Sequence, residues 1–159
     1  MRSLLRPLAL AATALLMVAG CSSGPVKRVS PPAASIQQIT VQPDGRWDIQ
    51  LRLQNFSSMA MTFSAANLTL SSGTLQALTI DTLPAESVGP ESADVVSLVL
   101  VPSAEARQLA AGVLADGRSL PYQLKGTVEA APSDKKAKSW PIDFRSTLHP
   151  APGLPGVLR

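Results

Sequence analysis

The chain has little of what most side-chain chemistry requires. Its 159 residues hold one cysteine, Cys21, and one histidine, His149. A lone cysteine excludes an intrachain disulfide. A Ser-His-Asp hydrolase needs a firmly oriented histidine, and His149 stands at the head of a stretch with three prolines and two glycines in its last eleven residues. Metal sites draw on clustered histidine, cysteine and carboxylate. Here the acids are scattered, and Asp81, Glu86, Glu91 and Asp94 read as solvated loop charges. No glycine-rich phosphate loop is present. Aromatics make up only 4% of the chain and charged residues 16%, so leucine, valine, isoleucine and alanine must fill any core. Basic residues are not interleaved with aromatics, which argues against nucleic acid as a partner. The sequence therefore predicts no enzyme, no metal and no cofactor.

What is present begins at the N-terminus. Arg2 and Arg6 precede a run from Leu8 to Ala19 that is apolar except for Thr13. This is shorter than the roughly 20 residues a membrane span needs and has the flanks of a signal peptide. It ends in Val18-Ala19-Gly20-Cys21, which resembles a bacterial lipobox. The resemblance implies cleavage between Gly20 and Cys21, with diacylglyceryl transfer to the Cys21 thiol and acylation of the new amino group by a fatty acid such as palmitate. Two or three acyl chains hold a protein to a bilayer where one does so only marginally. Ser22, rather than aspartate, follows the cysteine. By resemblance to Gram-negative sorting this implies the outer membrane, with the domain facing the periplasm. The expected organisation is a signal peptide at 1–20, a lipidated cysteine and flexible tether at 21–35, a folded domain at 36–148 and an irregular tail at 149–159. Of the 14 Lys and Arg residues, Arg2 and Arg6 fall in the leader, so the remainder is nearly balanced against 11 acids.

The folded domain is organised around Arg46 to Gln54. Trp47, Ile49, Leu51 and Leu53 alternate with polar residues, the signature of a strand with one buried face. Pro43-Asp44-Gly45 is a turn that joins it to a first strand at Ile36 to Val41. Met59, Met61, Phe63 and Ala65 alternate next, then Leu68 and Leu70 after an irregular step at Ala66-Asn67. Thr74 to Ile80 is a short strand, and Pro84 to Ser92 a loop. Val95 to Val101, broken only by Ser97, is the most apolar run beyond the leader and predicts a central strand with both faces at least partly covered. Ala106, Leu109, Ala110, Val113 and Leu114 then fall on one face of a helix, with Ser103 placed to cap it and Gly117 to end it. Tyr122 to Ala130 and Trp140 to Phe144 are two further alternating strands, and Pro141 puts the latter at a sheet edge. About seven strands and one short helix predict a mainly β fold, an antiparallel sandwich of immunoglobulin-like or fibronectin III-like kind.

The order of these motifs resembles the group 2 late embryogenesis abundant family, the WHy (water stress and hypersensitive response) domain. In that family an alternating strand runs into Asn-Pro-Asn, followed by a valine-rich strand, a short helix, a Tyr-x-x-x-Gly strand and a last strand starting near proline. Leu51-Arg52-Leu53-Gln54-Asn55 matches the approach, although Phe56 and Ser57 replace the second and third motif residues. Tyr122 and Gly126 match the later motif. The resemblance implies a non-enzymatic role in protecting the envelope or its proteins against desiccation and other stress, with Asn55, Tyr122 and Gly126 structural. Two other functions suit the same pattern: an envelope assembly module binding a protein through a sheet edge, and a carrier of a lipid or small hydrophobe.

Overall fold

The structure is a computed structural model and describes residues 27–159. The expected signal peptide, Gly20, Cys21 and the first part of the expected tether lie outside the described residues. Nine strands and one helix follow in the order β1 (Ala33–Val41), β2 (Trp47–Gln54), β3 (Met61–Ser72), β4 (Leu75–Ile80), β5 (Glu86–Val88), β6 (Ala93–Leu100), α1 (Ala104–Asp116), β7 (Leu120–Pro132), β8 (Lys138–Leu148) and β9 (Val157–Leu158). They form two antiparallel sheets. One has the order β6-β2-β1-β9. The other has the order β4-β3-β7-β8, with β5 also paired to β3.

The alternation in β2 dictates the arrangement. Trp47, Ile49, Leu51 and Leu53 are all buried, while Asp48, Gln50, Arg52 and Gln54 are half-exposed on the other face. The opposing sheet supplies Met61, Phe63, Leu68, Leu124 and Val128, each fully buried. The domain is thus a β-sandwich whose core is built from aliphatic side chains and a few aromatics. The β1–β2 turn is closed by Gly45, at φ 83°, and by Asp44, whose carboxylate accepts from the Arg46 backbone N–H at 3.0 Å and from its Nε at 2.7 Å. These bonds from Arg46 hold the Asp44 carboxyl below its usual range.

Several details differ from the sequence expectation, each for a local reason. A bulge between Ile36 and Gln38 lets both Ile36 and Ile39 face inward. The irregular step in β3 lies between Phe63 and Ala65, so Ala66 rather than Ala65 enters the core. The strand β5 occupies part of the expected loop at 84–92.

Both ends of the predicted domain extend into their flanks. The first strand begins at Ala33, and Ala34 and Pro32 are buried, so the end of the tether is part of the fold. The tail is not irregular throughout. It returns as β9, with Ile39 opposite Leu158 and Thr40 opposite Val157. Leu158 is fully buried. The cause is the otherwise unpaired edge of β1, whose Val41 N–H donates to the Gly156 carbonyl at 2.8 Å. A two-residue strand is too short to show any period.

The largest departure is β6. It is an edge strand, not a central one. Val96 and Leu98 are buried, but Val95 and Val99 are exposed, as is Val101 just beyond the strand. At the opposite side β8 is an edge, as Pro141 suggested, and buries Trp140 and Ile142. Phe144 alternates with Trp140 and Ile142 but does not join them in the core. It lies on the edge instead, about one third exposed, with its ring tilted against Tyr122 at 6.3 Å.

Candidate functional site: the Asn55 loop and its companions

The polar side chains buried in the described residues are Asn55 and Ser57, and both belong to the loop that follows β2. The alternation of β2 carries Asn55 to the inward side as the strand ends. There its Nδ2 donates to the carbonyls of Met59 at 2.8 Å, Gly89 at 2.9 Å and Val88 at 3.2 Å. Its Oδ1 accepts from the Ser57 N–H at 2.8 Å, and its own N–H donates to the Ser92 carbonyl. A primary amide has two N–H donors, so one is shared between carbonyls. One side chain thus supplies partners to four backbone groups from two segments of chain. Buried polar groups are tolerated when satisfied in this way.

Ser57 extends the network to the tether. Its Oγ accepts from the Ser30 N–H at 3.0 Å and donates to the Ser30 carbonyl at 3.3 Å. Arg28 N–H donates to the Ser58 Oγ at 2.8 Å. The Arg28 guanidinium meets the Phe56 carbonyl and the Glu91 carboxylate, the latter at 2.8 Å. Lys27 pairs with Asp134 at 2.8 Å, and this bond holds the Asp134 carboxyl below its usual range. These ion pairs are exposed and add little to stability. They do fix where the chain enters: residues 27–32 run along the Asn55 end of the sandwich.

Tyr122 and Gly126 act elsewhere on β7. The Tyr122 hydroxyl accepts from the Ile36 N–H at 3.0 Å and donates to the Ile36 carbonyl at 3.1 Å, joining one sheet to the other. Ile36 is where β1 bulges, so the hydroxyl completes bonding that the bulge interrupts. Burial pushes the Tyr122 hydroxyl above its usual range, partly offset by the bond to Ile36. Gly126 has φ 149°, and a Cβ there would stand 2.0 Å from the Asn67 carbonyl oxygen of β3. Only a residue without Cβ permits this approach.

The candidate carboxylates are not gathered. Asp81, Glu91 and Asp94 are exposed and Glu86 half-buried. Glu91 faces Arg28, and Asp94 accepts from the Val95 N–H at 2.9 Å. Among the described residues no three of the histidine, cysteine or acidic side chains come together where a metal would sit. His149 is exposed, its backbone paired with Arg159. No helix of the described residues is long and apolar enough to cross a membrane.

The other end of the sandwich carries a small slot lined by Trp47, Ile39, Leu70, Ala106, Leu109 and Tyr122, among others. Its volume of about 20 Å³ is room for a single water. The buried Nε1 of Trp47, which lines it, has no partner among the described residues.

No family model matches the chain, and no curated protein matches it. Solved structures do. A protein described as late embryogenesis abundant is 15% identical, over 92% of this chain and 88% of its own, with a TM-score of 0.45. A protein from Arabidopsis thaliana is 14% identical, over 80% of this chain and 83% of its own, at 0.46. A Bordetella pertussis protein described as ApaA is 10% identical, over 82% of this chain and 100% of its own, at 0.47.

Proposed function

We propose that this chain is a lipid-anchored protein of the bacterial envelope whose sandwich protects the envelope or its proteins during desiccation and related stress, without carrying out a reaction. The anchor is Cys21, and the outer membrane facing the periplasm is the expected location. The observation that carries the non-catalytic reading is the use made of Asn55. It is buried, and both its amide N–H groups and its amide oxygen are bonded to backbone that closes one end of the fold. The water-sized slot at the other end does not suit a lipid cargo.

The same end gives the domain an orientation. Cys21 stands six residues before Lys27, a span of about 20 Å at most. With the chain entering along the Asn55 loop, that end faces the bilayer and α1 faces away.

The test has two arms. Fatty-acid labelling in cells is expected to mark the wild-type chain and not Cys21→Ser; label on Cys21→Ser would refute the anchor. Survival of drying, at matched expression, is expected to fall with Cys21→Ser and to be unchanged by alanine at Asp81, Glu86, Glu91 or Asp94 and by His149→Ala. Loss of survival from one of those changes, with the fold intact by circular dichroism, would reveal a working polar site and end the non-catalytic reading.

A further inference from the structure

The long edges of the two sheets are defended unequally. An exposed edge strand offers unpaired N–H and C=O groups to any other strand, and proteins blunt such edges with charge, proline or bulges. The β8 edge carries Lys138, Pro141, Asp143 and Arg145. Between Val95 and Val101 the β6 edge carries no charge, no proline and no bulge, and its register with β2 runs unbroken from Ala93 to Leu100. Val95, Ser97 and Val99 point outward along it.

The free groups can be assigned. Asn55 N–H donates to the Ser92 carbonyl, which makes those residues a hydrogen-bonded pair. Such pairs alternate along an antiparallel ladder. Following the register, Asp94, Val96, Leu98 and Leu100 bond inward to Leu53, Leu51, Ile49 and Trp47. The N–H and C=O groups of Val95, Ser97 and Val99 therefore face away from β2. The bond from Val95 N–H to the Asp94 carboxylate agrees, since that donor is not in the ladder.

The edge is also complementary to itself. Laid antiparallel about a two-fold axis through Ser97, two β6 strands set Val95 opposite Val99 of the second copy and Ser97 opposite Ser97. All three positions present edge-facing groups, so the hydrogen-bond parity is correct. On β2, Arg52 flanks Val95 and Asp48 flanks Val99. The two-fold therefore brings the cationic end of each outer face into line with the anionic end of the other. No like charges meet, and valine packs against valine, a favourable cross-strand pair. A closed two-fold of this kind is self-limiting, which an exposed apolar edge otherwise is not.

We infer that β6 is a docking edge for β6 of a second copy of this chain, forming one continuous sheet across the pair. Asp94 acts as the guard: its carboxylate occupies the Val95 N–H and must release it for the outermost bonds to form. The inference does not depend on the anchor or on stress protection.

The test is oxidative cross-linking of the full chain carrying Ser97→Cys, in the membranes of the cells that make it and after detergent extraction. The unsubstituted chain controls for Cys21. A disulfide-linked species of twice the chain mass is expected, absent from the control and from Thr147→Cys on the β8 edge. Adding Val99→Lys is expected to lower the linked fraction at least about tenfold with the circular dichroism spectrum unchanged, and adding Asp94→Ala to raise it. A chain that stays at single mass overturns the inference. So does equal linkage from Thr147→Cys, and so does linkage to a different protein, which would give the edge to another strand. If Ser97→Cys does not accumulate, sedimentation of the unsubstituted chain in detergent decides: a dimer lost on Val99→Lys supports self-pairing, and a monomer throughout the micromolar range refutes it.

Discussion

The two ends of the sandwich are closed by opposite means. At one end Asn55 and Ser57 bind backbone groups from the tether, the turn after β2 and the turn before β6. At the other, α1 lays Ala106, Ala110 and Val113 over the gap between the sheets. The first closure is directional, and each bond has a named partner. The second is apolar and made of small side chains, and it leaves a slot beside Trp47. A polar closure fails abruptly when one partner is removed, because the others are left buried and unpaired. An apolar closure loses energy in proportion to the area and volume removed. The Asn55 end is held by specificity and the far end by bulk.

The sharpest way to break the far end is Trp47→Ala. Trp47 is buried and lines the slot together with Ala106 and Leu109 of α1. Removing it should cost about 3–5 kcal/mol, a large share of a domain's stability. Chemical denaturation should show the midpoint fall; a loss below about 1 kcal/mol would mean that the slot end is not part of the cooperative core.

At the Asn55 end Asn55→Ala is expected to cost about 2–4 kcal/mol, from several backbone groups left without partners and in part recovered by water. Here the location of the loss matters more than its size. Hydrogen exchange should rise at Arg28, Ser30 and Ser57 while α1 keeps its protection. Equal loosening at both ends would show that the closures are coupled and that the comparison is false.

Which features were legible in the sequence follows from the same contrast. The core face of β2, the helix face of α1 and its Ser103 cap were readable because period and capping are local. The cap is seen directly: Ser103 Oγ accepts from the Ala106 N–H at 3.2 Å, and Gly117 takes the left-handed conformation. The motif resemblance singles out Asn55, but nothing local in Asn55-Phe56-Ser57 announces that its partners lie at Val88 and Gly89. Valine content misled at β6. An apolar run predicts burial, whereas here three of its four valines, Val95, Val99 and Val101, are exposed, and composition alone does not separate a central strand from an edge. Leu158 went unseen because its burial depends on the free edge of β1, a property of the assembled sheet.

Between the two closures, Tyr122 joins the sheets by one hydroxyl, and its titration offers a smaller and cleaner perturbation. Its folded value is raised by burial. Stability from the neutral hydroxyl is therefore complete below the unfolded value near 10 and is lost as the pH rises through the folded one. Tyr122→Phe should cost about 1–2 kcal/mol at neutral pH through the unpaired Ile36 groups. It should also flatten the alkaline fall in melting temperature relative to wild type, which lysine titration alone does not explain. Parallel alkaline curves for the two proteins would remove Tyr122 as the link.

The smallest expected effect is a gain, and it tests whether bulk alone closes the far end. Gly112 lies in the middle of α1, where glycine costs about 1 kcal/mol relative to alanine. Its backbone is ordinary helix, and a Cβ there would meet nothing nearer than the Arg118 guanidinium at 3.8 Å, a normal contact. Gly112→Ala should therefore stabilise the domain by about 0.5–1 kcal/mol, mostly by restricting the unfolded chain. The gain should appear as slower exchange at Ala106 and Ala110, with no change at Ser57. If the substitution destabilises instead, α1 must need its flexibility to seat against β4, and the far end is closed by fit rather than by bulk.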